Sequence, residues 1–508
     1  METIKFKDYK NALLGCWWGK YAGGVMGLPF ECYRGVRELD WYTQDDFRGI
    51  YNDDVDLQLV FLRACEKYGN KVDSQILAEF WLNYISMSCS EYGAAKANLR
   101  AGLAPPLSGS YKNDNKDSCG AFIRSEIWAC LCAGNPDIAV RYALEDAMVD
   151  HGGEGVYGEV FFVAMQAEAF VEKDIRKLIE KGLSYIPEDC GITKGVLTAI
   201  ECYDAGKTWQ EARKCILQTV PGSFGMICGY RDGDEPEADI PVGAHGYDAP
   251  SNVGLAVMSL LYGEYDLRKT LCIASGCMED GDCTAGSAGA TLGIILGYDK
   301  LPKELFAPLE DRICVGSLRL DTDLYKPETI DELVQRILRL TPVFLGGDIV
   351  DTLIDGEGYA IAAHVKGNDL LRVFAIDQYK APDFPTLLAR IPYGVRYRNV
   401  MYDVTVEYEK MPVLSVGESL KLKFKFWNGF YDQQWLECKW HLVDGVEVEG
   451  GAFASVCLDQ KHGGYNTAEH EFTLTLASAS RSRIELCLEI VSSGRYCRTY
   501  IPVTINVK

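Results

Sequence analysis

Glu279-Asp280-Gly281-Asp282-Cys283-Thr284-Ala285-Gly286-Ser287-Ala288-Gly289-Ala290 sets two carboxylates in an Asp-x-Asp arrangement directly before a run of small residues. On a helix, positions i and i+2 point to different sides. The two carboxylates converge only if they lie in a turn leading into a helix, which the pattern starts near Cys283. A turn of carboxylates suits a hard divalent cation such as Mg²⁺, Mn²⁺ or Ca²⁺. Far upstream, Asn52-Asp53-Asp54-Val55-Asp56 opens a second amphipathic stretch, Val55 to Tyr68, closed by Gly69. One Asp suffices as a helix cap, worth about 1 kcal/mol, whereas these units bring two or three each. Packed like charges are unfavourable unless a cation neutralises them. Two distant acid-then-helix units are what a metal centre built from several helix ends needs.

Two glycine stripes accompany these units. Gly15, Gly19, Gly23 and Gly27 recur every four residues, as do Gly289, Gly293 and Gly297. On a helix each stripe makes a bare face. Interior glycine disfavours a helix by about 1 kcal/mol relative to alanine, and close backbone approach between buried helices is the natural compensation. Packing these two helices on each other would make Glu31 and Asp280 neighbours.

The chain has 508 residues, enough for two to four domains. Its formal charge of −22 argues against nucleic-acid or anionic-membrane partners, which favour basic patches. The first ten residues contain no apolar signal core. The first apolar run, Ala12 to Phe30, is broken by Lys20 and filled with glycine, so it does not read as a membrane span. Nineteen cysteines without such a signal suggest a reducing cytoplasm and free thiols. Cys130 and Cys132 are two apart, and no paired Cys-x-x-Cys supports structural zinc.

Up to about residue 342 apolar residues recur at three and four. The segments Gln75–Met87, Phe122–Ala133, Ile138–Val149, Val156–Val171 and Trp209–Leu217 read as helices. One more helix starts at Pro327 and is expected to end at Leu340 and Pro342. Near residue 400 the period changes to two. Leu420–Phe426, Phe472–Leu476, Ile484–Ile490 and Ile501–Val507 alternate, and Val443-Asp444-Gly445-Val446 reads as a hairpin turn. The expected organisation is an all-α domain over 1–342, a bridging segment over 343–395 and an immunoglobulin-like β-sandwich over 396–508.

Five pieces of the first domain stand in a telling order: Gly23-Gly24-Val25-Met26-Gly27-Leu28-Pro29-Phe30-Glu31, then Asn52-Asp53-Asp54, then Cys119-Gly120-Ala121-Phe122-Ile123-Arg124, then His151, then Asp280-Gly281-Asp282. In this order they resemble the ADP-ribosylglycohydrolase family, including the dinitrogenase-reductase activating glycohydrolases, over about residues 8–340. The resemblance implies an all-helical fold holding two Mg²⁺ or Mn²⁺ ions, or one. It implies metal ligation by Asn52, Asp53, Asp54, Asp280, Asp282 and Thr284, and catalytic roles for Glu31 and Asp282. It also places Gly120, Arg124 and His151 on the substrate cleft. The implied substrate is a ribosyl-type small molecule or an ADP-ribosylated target, cleaved at an N- or O-ribosyl bond.

Several positions depart from the family pattern. Asn52 replaces a threonine, and its amide oxygen can still bind a hard cation. Val55 replaces a threonine and cannot bind. Cys283 replaces a hydroxyl and is a poor ligand for Mg²⁺. Glu279 replaces a small residue and adds a charge. Val55 and Cys283 favour a second reading, a noncatalytic ligand- or partner-binding protein on a degenerate glycohydrolase fold. A third is a hydrolase of a different nucleoside or glycoside, with Trp427, Phe430, Tyr431 and Trp435 stacking on sugar.

Overall fold

Phe6–Gly27 is a 22-residue helix, and the run from Gly15 to Gly27 is buried throughout. It packs antiparallel on Gly281–Leu296, the helix that follows the Asp-Gly-Asp turn. The pairing is written in the glycines. A Cβ on Gly15, Gly19, Gly23 or Gly27 would collide with the carbonyl of Gly293, Gly289, Ala285 or Gly281 respectively. The bare faces therefore meet backbone to backbone, and the loss of helix propensity is offset by this approach. Gly297 is the exception to the expected stripe. It lies just past the helix end with φ of 74°, beside the Asn11 side chain, so it serves as a terminator.

The computed structural model describes residues 2–223, 237, 239–243, 247–319, 322–347, 349–351, 358–365, 394–399, 401–495 and 497–508. The chain divides into two compact units, one of residues 1–99 with 108–390 and one of residues 100–107 with 391–508.

The first unit is mostly helical. Its apolar core includes Trp17, Phe61, Trp81, Phe122 and Trp128, all fully buried. The acid-then-helix unit upstream is the helix Asp53–Tyr68, capped by Asn52 and closed by Gly69 with φ of 60°. The Asp-Gly-Asp helix starts at Gly281, two residues before the expected Cys283, because Asp280 is its N-cap. Pro136–Ala147, Gly153–Glu168 and Trp209–Thr219 form where the periodicity puts them. The Phe122–Ala133 segment divides into a 3₁₀ stretch, Cys119–Arg124, and a short helix, Glu126–Leu131.

Pro342 does not end its helix, which runs from Ile330 to Leu345. Proline removes the N–H that the carbonyl four residues back would accept. That carbonyl, on Leu338, instead accepts the Tyr359 hydroxyl at 2.7 Å. Within the 343–395 stretch, Val350–Asp351 and Ala360–Ala362 form a small sheet with Thr3–Ile4.

The second unit carries two five-stranded sheets. One orders Phe453–Leu458, Gln434–His441, Arg483–Ser492, Arg498–Val507 and Val413–Leu414. The other orders Val446–Val448, Thr467–Leu476, Ser419–Trp427, Asp403–Tyr408 and Gly394–Arg398. Alternation sets the register: Leu420, Leu422, Phe424 and Phe426 are buried, and Leu420 pairs with Leu474. Trp440 from the first sheet meets Phe424 and Phe472 from the second, with ring centroids 6.1 and 5.6 Å apart. The expected hairpin at Val443–Val446 is not one. Gln434–His441 and Val446–Val448 belong to different sheets, so Gly445, with φ of 90°, lies in a crossing between them. Tyr431 and Trp435 are exposed.

Gly289→Leu should overpack the helix contact and destabilise the protein by about 1–3 kcal/mol or more. Urea denaturation measures it, and an unchanged midpoint contradicts the backbone-to-backbone packing.

Candidate metal centre

The antiparallel glycine contact delivers the end of one helix to the start of the other. Beyond Gly27 the chain turns through Leu28–Phe30 to Glu31, and Cys32 N–H then donates to the Glu279 carbonyl at 2.9 Å. Tyr33 and Arg34 pair with Glu279 and Met278 as a two-stranded ribbon. Glu31 thereby comes to Asp280 and Asp282, as the stripe pattern predicts. The helix Asp53–Tyr68 brings its N-terminus to the same place. The Asn52 amide donates to Asp282 Oδ2 at 3.0 Å, and Cys283 Sγ lies 3.5 Å from Asp54 Oδ1.

Two overlapping groups of potential ligands result. One is Glu31, Asp280 and Asp282; the other is Asp54, Asp282 and Cys283. Within each, one ligand atom per residue lies within 4.8 Å of the others. Asp282 belongs to both. Among the described residues, Asp280 Oδ1 and Asp282 Oδ1 are buried and have no hydrogen-bond partner. An orphaned carboxylate oxygen away from water is costly unless a cation meets it. The first group is all oxygen, which suits a hard divalent ion. The residues present fit a metal ion.

The carboxylates bear the electrostatic consequence. Burial, helped by Asp280 and Asp54, pushes the Glu31 carboxyl up to about 8. Burial, then Asp54 and Glu31, pushes Asp53 up to about 8. Burial raises Asp280 to about 7, and burial with Glu31 and Asp280 raises Asp282 well above the carboxylate range.

Not every predicted residue faces the cleft. Glu31, Asp53, Gly120, Asp280, Asp282 and Cys283 line a cleft whose walls also include Glu91, Tyr92 and Tyr247. A Cβ on Gly120 would lie 2.9 Å from the Tyr92 hydroxyl, so glycine there lets the loop pack closely on that wall. Asn52 is corrected: its amide oxygen accepts the Asp54 N–H at 2.7 Å as the helix cap, so its NH₂ rather than its oxygen faces the centre. The Thr284 hydroxyl donates back to the carbonyls of Asp280 and Gly281, at 2.9 and 3.1 Å. Asp56 accepts from Gly316 and Ser317 N–H and pins that loop, away from the centre.

Arg124 and His151 lie behind the cleft wall, both fully buried. Arg124 donates to Asp146, to Asp150 and to the Gly120 carbonyl, the last at 2.6 Å, and lies over the Phe61 and Trp81 rings. His151 contacts Asp150 through Nδ1 at 3.0 Å and Ser118 Oγ through Nε2 at 3.1 Å. Both support the loop that carries Gly120. The added charge of Glu279 is compensated away from the centre by Arg34 at 2.7 Å and Arg213 at 3.4 Å.

The sequence reading passed over Lys20. It is fully buried, with Nζ 2.9 Å from Asp54 Oδ2 and 3.5 Å from Glu126 Oε1. Burial alone would lower its pKa, but Asp54 and Glu126 raise it well above the ordinary value, so the ammonium stays charged. The signal was a lone lysine inside an apolar glycine helix.

A helical unit thus brings two acidic helix starts together at the end of a glycine-rich helix. The chain matches the ADP-ribosylglycohydrolase family over residues 6–343, and it belongs to that family. No match was found among curated proteins.

Unfolded carboxylates titrate near 4, so Glu31, Asp53, Asp280 and Asp282 bind more protons in the folded protein than in the unfolded one between about pH 4 and pH 8. Their contribution to stability therefore falls as pH rises through that window. A divalent ion replaces those protons as countercharge. Mg²⁺ or Mn²⁺ should raise the melting temperature more at about pH 8 than at about pH 5.5; an equal effect at both contradicts this electrostatic account. Arg124→Met should destabilise by about 3–5 kcal/mol, because it takes the guanidinium away from two buried carboxylates. A urea midpoint close to that of the unmodified protein would contradict the structural role.

Proposed function

We propose that the protein is a divalent-cation-dependent hydrolase of an N- or O-ribosyl bond, acting on ADP-ribosyl conjugates or a related nucleoside-type substrate. The observation that carries this reading is the convergence of Glu31, Asp280 and Asp282, with two orphaned carboxylate oxygens, on one cleft. Membership of the glycohydrolase family supports the bond class.

Ribosyl cleavage passes through an oxocarbenium-like state and needs proton transfer at the leaving group and at water. The bound ion, Mg²⁺ or Mn²⁺ on this reading, supplies water polarisation and orientation of the vicinal ribose hydroxyls. Asp280 and Asp282 hold it, and Asn52 fixes Asp282 through Oδ2. Glu31 lines the cleft beside Asp280 and Asp282 and is placed to act as general acid or base. Tyr92 and Tyr247 line the cleft where a base or ribose would lie. Arg124 and His151 position the Gly120 loop.

The proposal keeps the division into a catalytic segment over 1–342, a bridge over 343–395 and a β-sandwich over 396–508. The aromatic contact of Trp440 with Phe424 and Phe472 supports the sandwich. Cytoplasmic residence is part of the same reading. It is supported by free thiols such as Cys16, Cys65, Cys130 and Cys283. Among the described residues, no helix is long and apolar enough to cross a membrane.

The test is release of ADP-ribose, ribose or free base across ribosyl proteins, ADP-ribose esters and nucleosides, with Mg²⁺ or Mn²⁺ present. Asp280→Ala should abolish turnover. Glu31→Gln keeps an oxygen that can ligate but cannot carry the proton, so ion content should persist while the rate falls about 10²–10⁴-fold. No turnover on any substrate, with metal bound, moves the reading to a noncatalytic binding protein.

A further inference from the structure

We propose that Lys20 is a built-in cation that takes one of the two cation positions of this centre, so that a single divalent ion binds, at Glu31, Asp280 and Asp282. This rests on the metal-centre reading above and revises its ion count. The two ligand groups are not equivalent. In the Asp54–Asp282–Cys283 group both Asp54 oxygens are engaged. Oδ2 pairs with the Lys20 ammonium at 2.9 Å, and the Cys283 thiol points to Oδ1 at 3.5 Å. Among the described residues the Glu31–Asp280–Asp282 group has no such cation, and Asp280 Oδ1, which belongs to this group alone, is buried with no hydrogen-bond partner.

The fold makes room for this lysine. Lys20 follows Gly19, whose close approach to Gly289 brings the two helices together. Its side chain runs past Gly286, where a Cβ would lie 3.2 Å from Lys20 Cδ, 3.3 Å from Nζ and 3.1 Å from Asp54 Oδ2. Nζ then reaches Asp54, Glu126 and, at 3.5 Å, Ser287 Oγ. Glu126 is held in turn by Gln58 at 2.8 Å and Gln166 at 3.2 Å. The ammonium is thus seated by several elements. Like charges at contact distance repel strongly in a buried site, so a divalent ion and this ammonium exclude each other at Asp54. On this account Asp54 is the lysine's counter-ion, and the sulfur of Cys283 is tolerated because no hard ion needs it.

The experiment counts Mn²⁺ bound to the full-length protein by elemental analysis after dialysis, with electron paramagnetic resonance on the same samples. The wild type should hold one ion per chain and give the six-line spectrum of isolated Mn²⁺. Lys20→Met keeps the stem and removes the charge; it should hold two ions with an exchange-coupled spectrum. Asp54→Asn should still hold one. Two ions in the wild type overturn the proposal while leaving the metal reading intact. So does one ion in Lys20→Met, or none in Asp54→Asn. No ion in the wild type overturns the metal reading itself. If Lys20→Met does not fold, the wild-type and Asp54→Asn counts still decide the proposal.

Discussion

Two helices touch here without side chains between them. Gly19 lies against the carbonyl of Gly289, and Gly15, Gly23 and Gly27 repeat the contact at Gly293, Ala285 and Gly281. Any Cβ would hold the axes apart. The contact fixes register as well as distance, because each glycine has one carbonyl to meet. It therefore decides where Glu31 falls relative to Asp280 and Asp282. It also decides how far Lys20 reaches, since its short path to Asp54 exists only at this separation.

The carboxylates gathered by that contact would repel one another if left alone. The protein handles the charge in several ways. Lys20 neutralises Asp54 and Glu126 from within the core. Asn52 ties one oxygen of Asp282, and helix N-termini at Asp53 and Gly281 present positive dipole ends to the site. Arg34 and Arg213 take up Glu279. Glu31, Asp53, Asp280 and Asp282 are among those left crowded together, and their pKa values are all raised. Concentrated, unpaired charge of this kind lowers stability and marks sites that bind or react.

Features that depend on local pattern were legible in the sequence. The glycine spacing showed which helices pack, since only close approach explains a bare face. The Asp-x-Asp turn and the Asn-Asp-Asp cap showed which ends meet, and strict alternation placed the strands after residue 400. Features decided by distant partners were not. Nothing local tells that Tyr359 will satisfy Leu338 and let a helix run through Pro342, or that the turn at Gly445 crosses between sheets. Arg124 and His151 were read as cleft residues, but Asp146, Asp150 and Ser118 draw them behind the wall. Lys20 looked like an interruption of an apolar run; its meaning depends on Asp54, Glu126 and Ser287, which the fold alone brings near.

The central claim is that two helix starts and the end of a glycine helix form a cation site. A crystal soaked in Mn²⁺ and measured for anomalous scattering tests it most directly. The account predicts a peak bounded by the carboxylates of Glu31, Asp280 and Asp282, with Lys20 still on Asp54. A cleft with no anomalous peak at saturating Mn²⁺, or a peak only elsewhere on the protein, would contradict it.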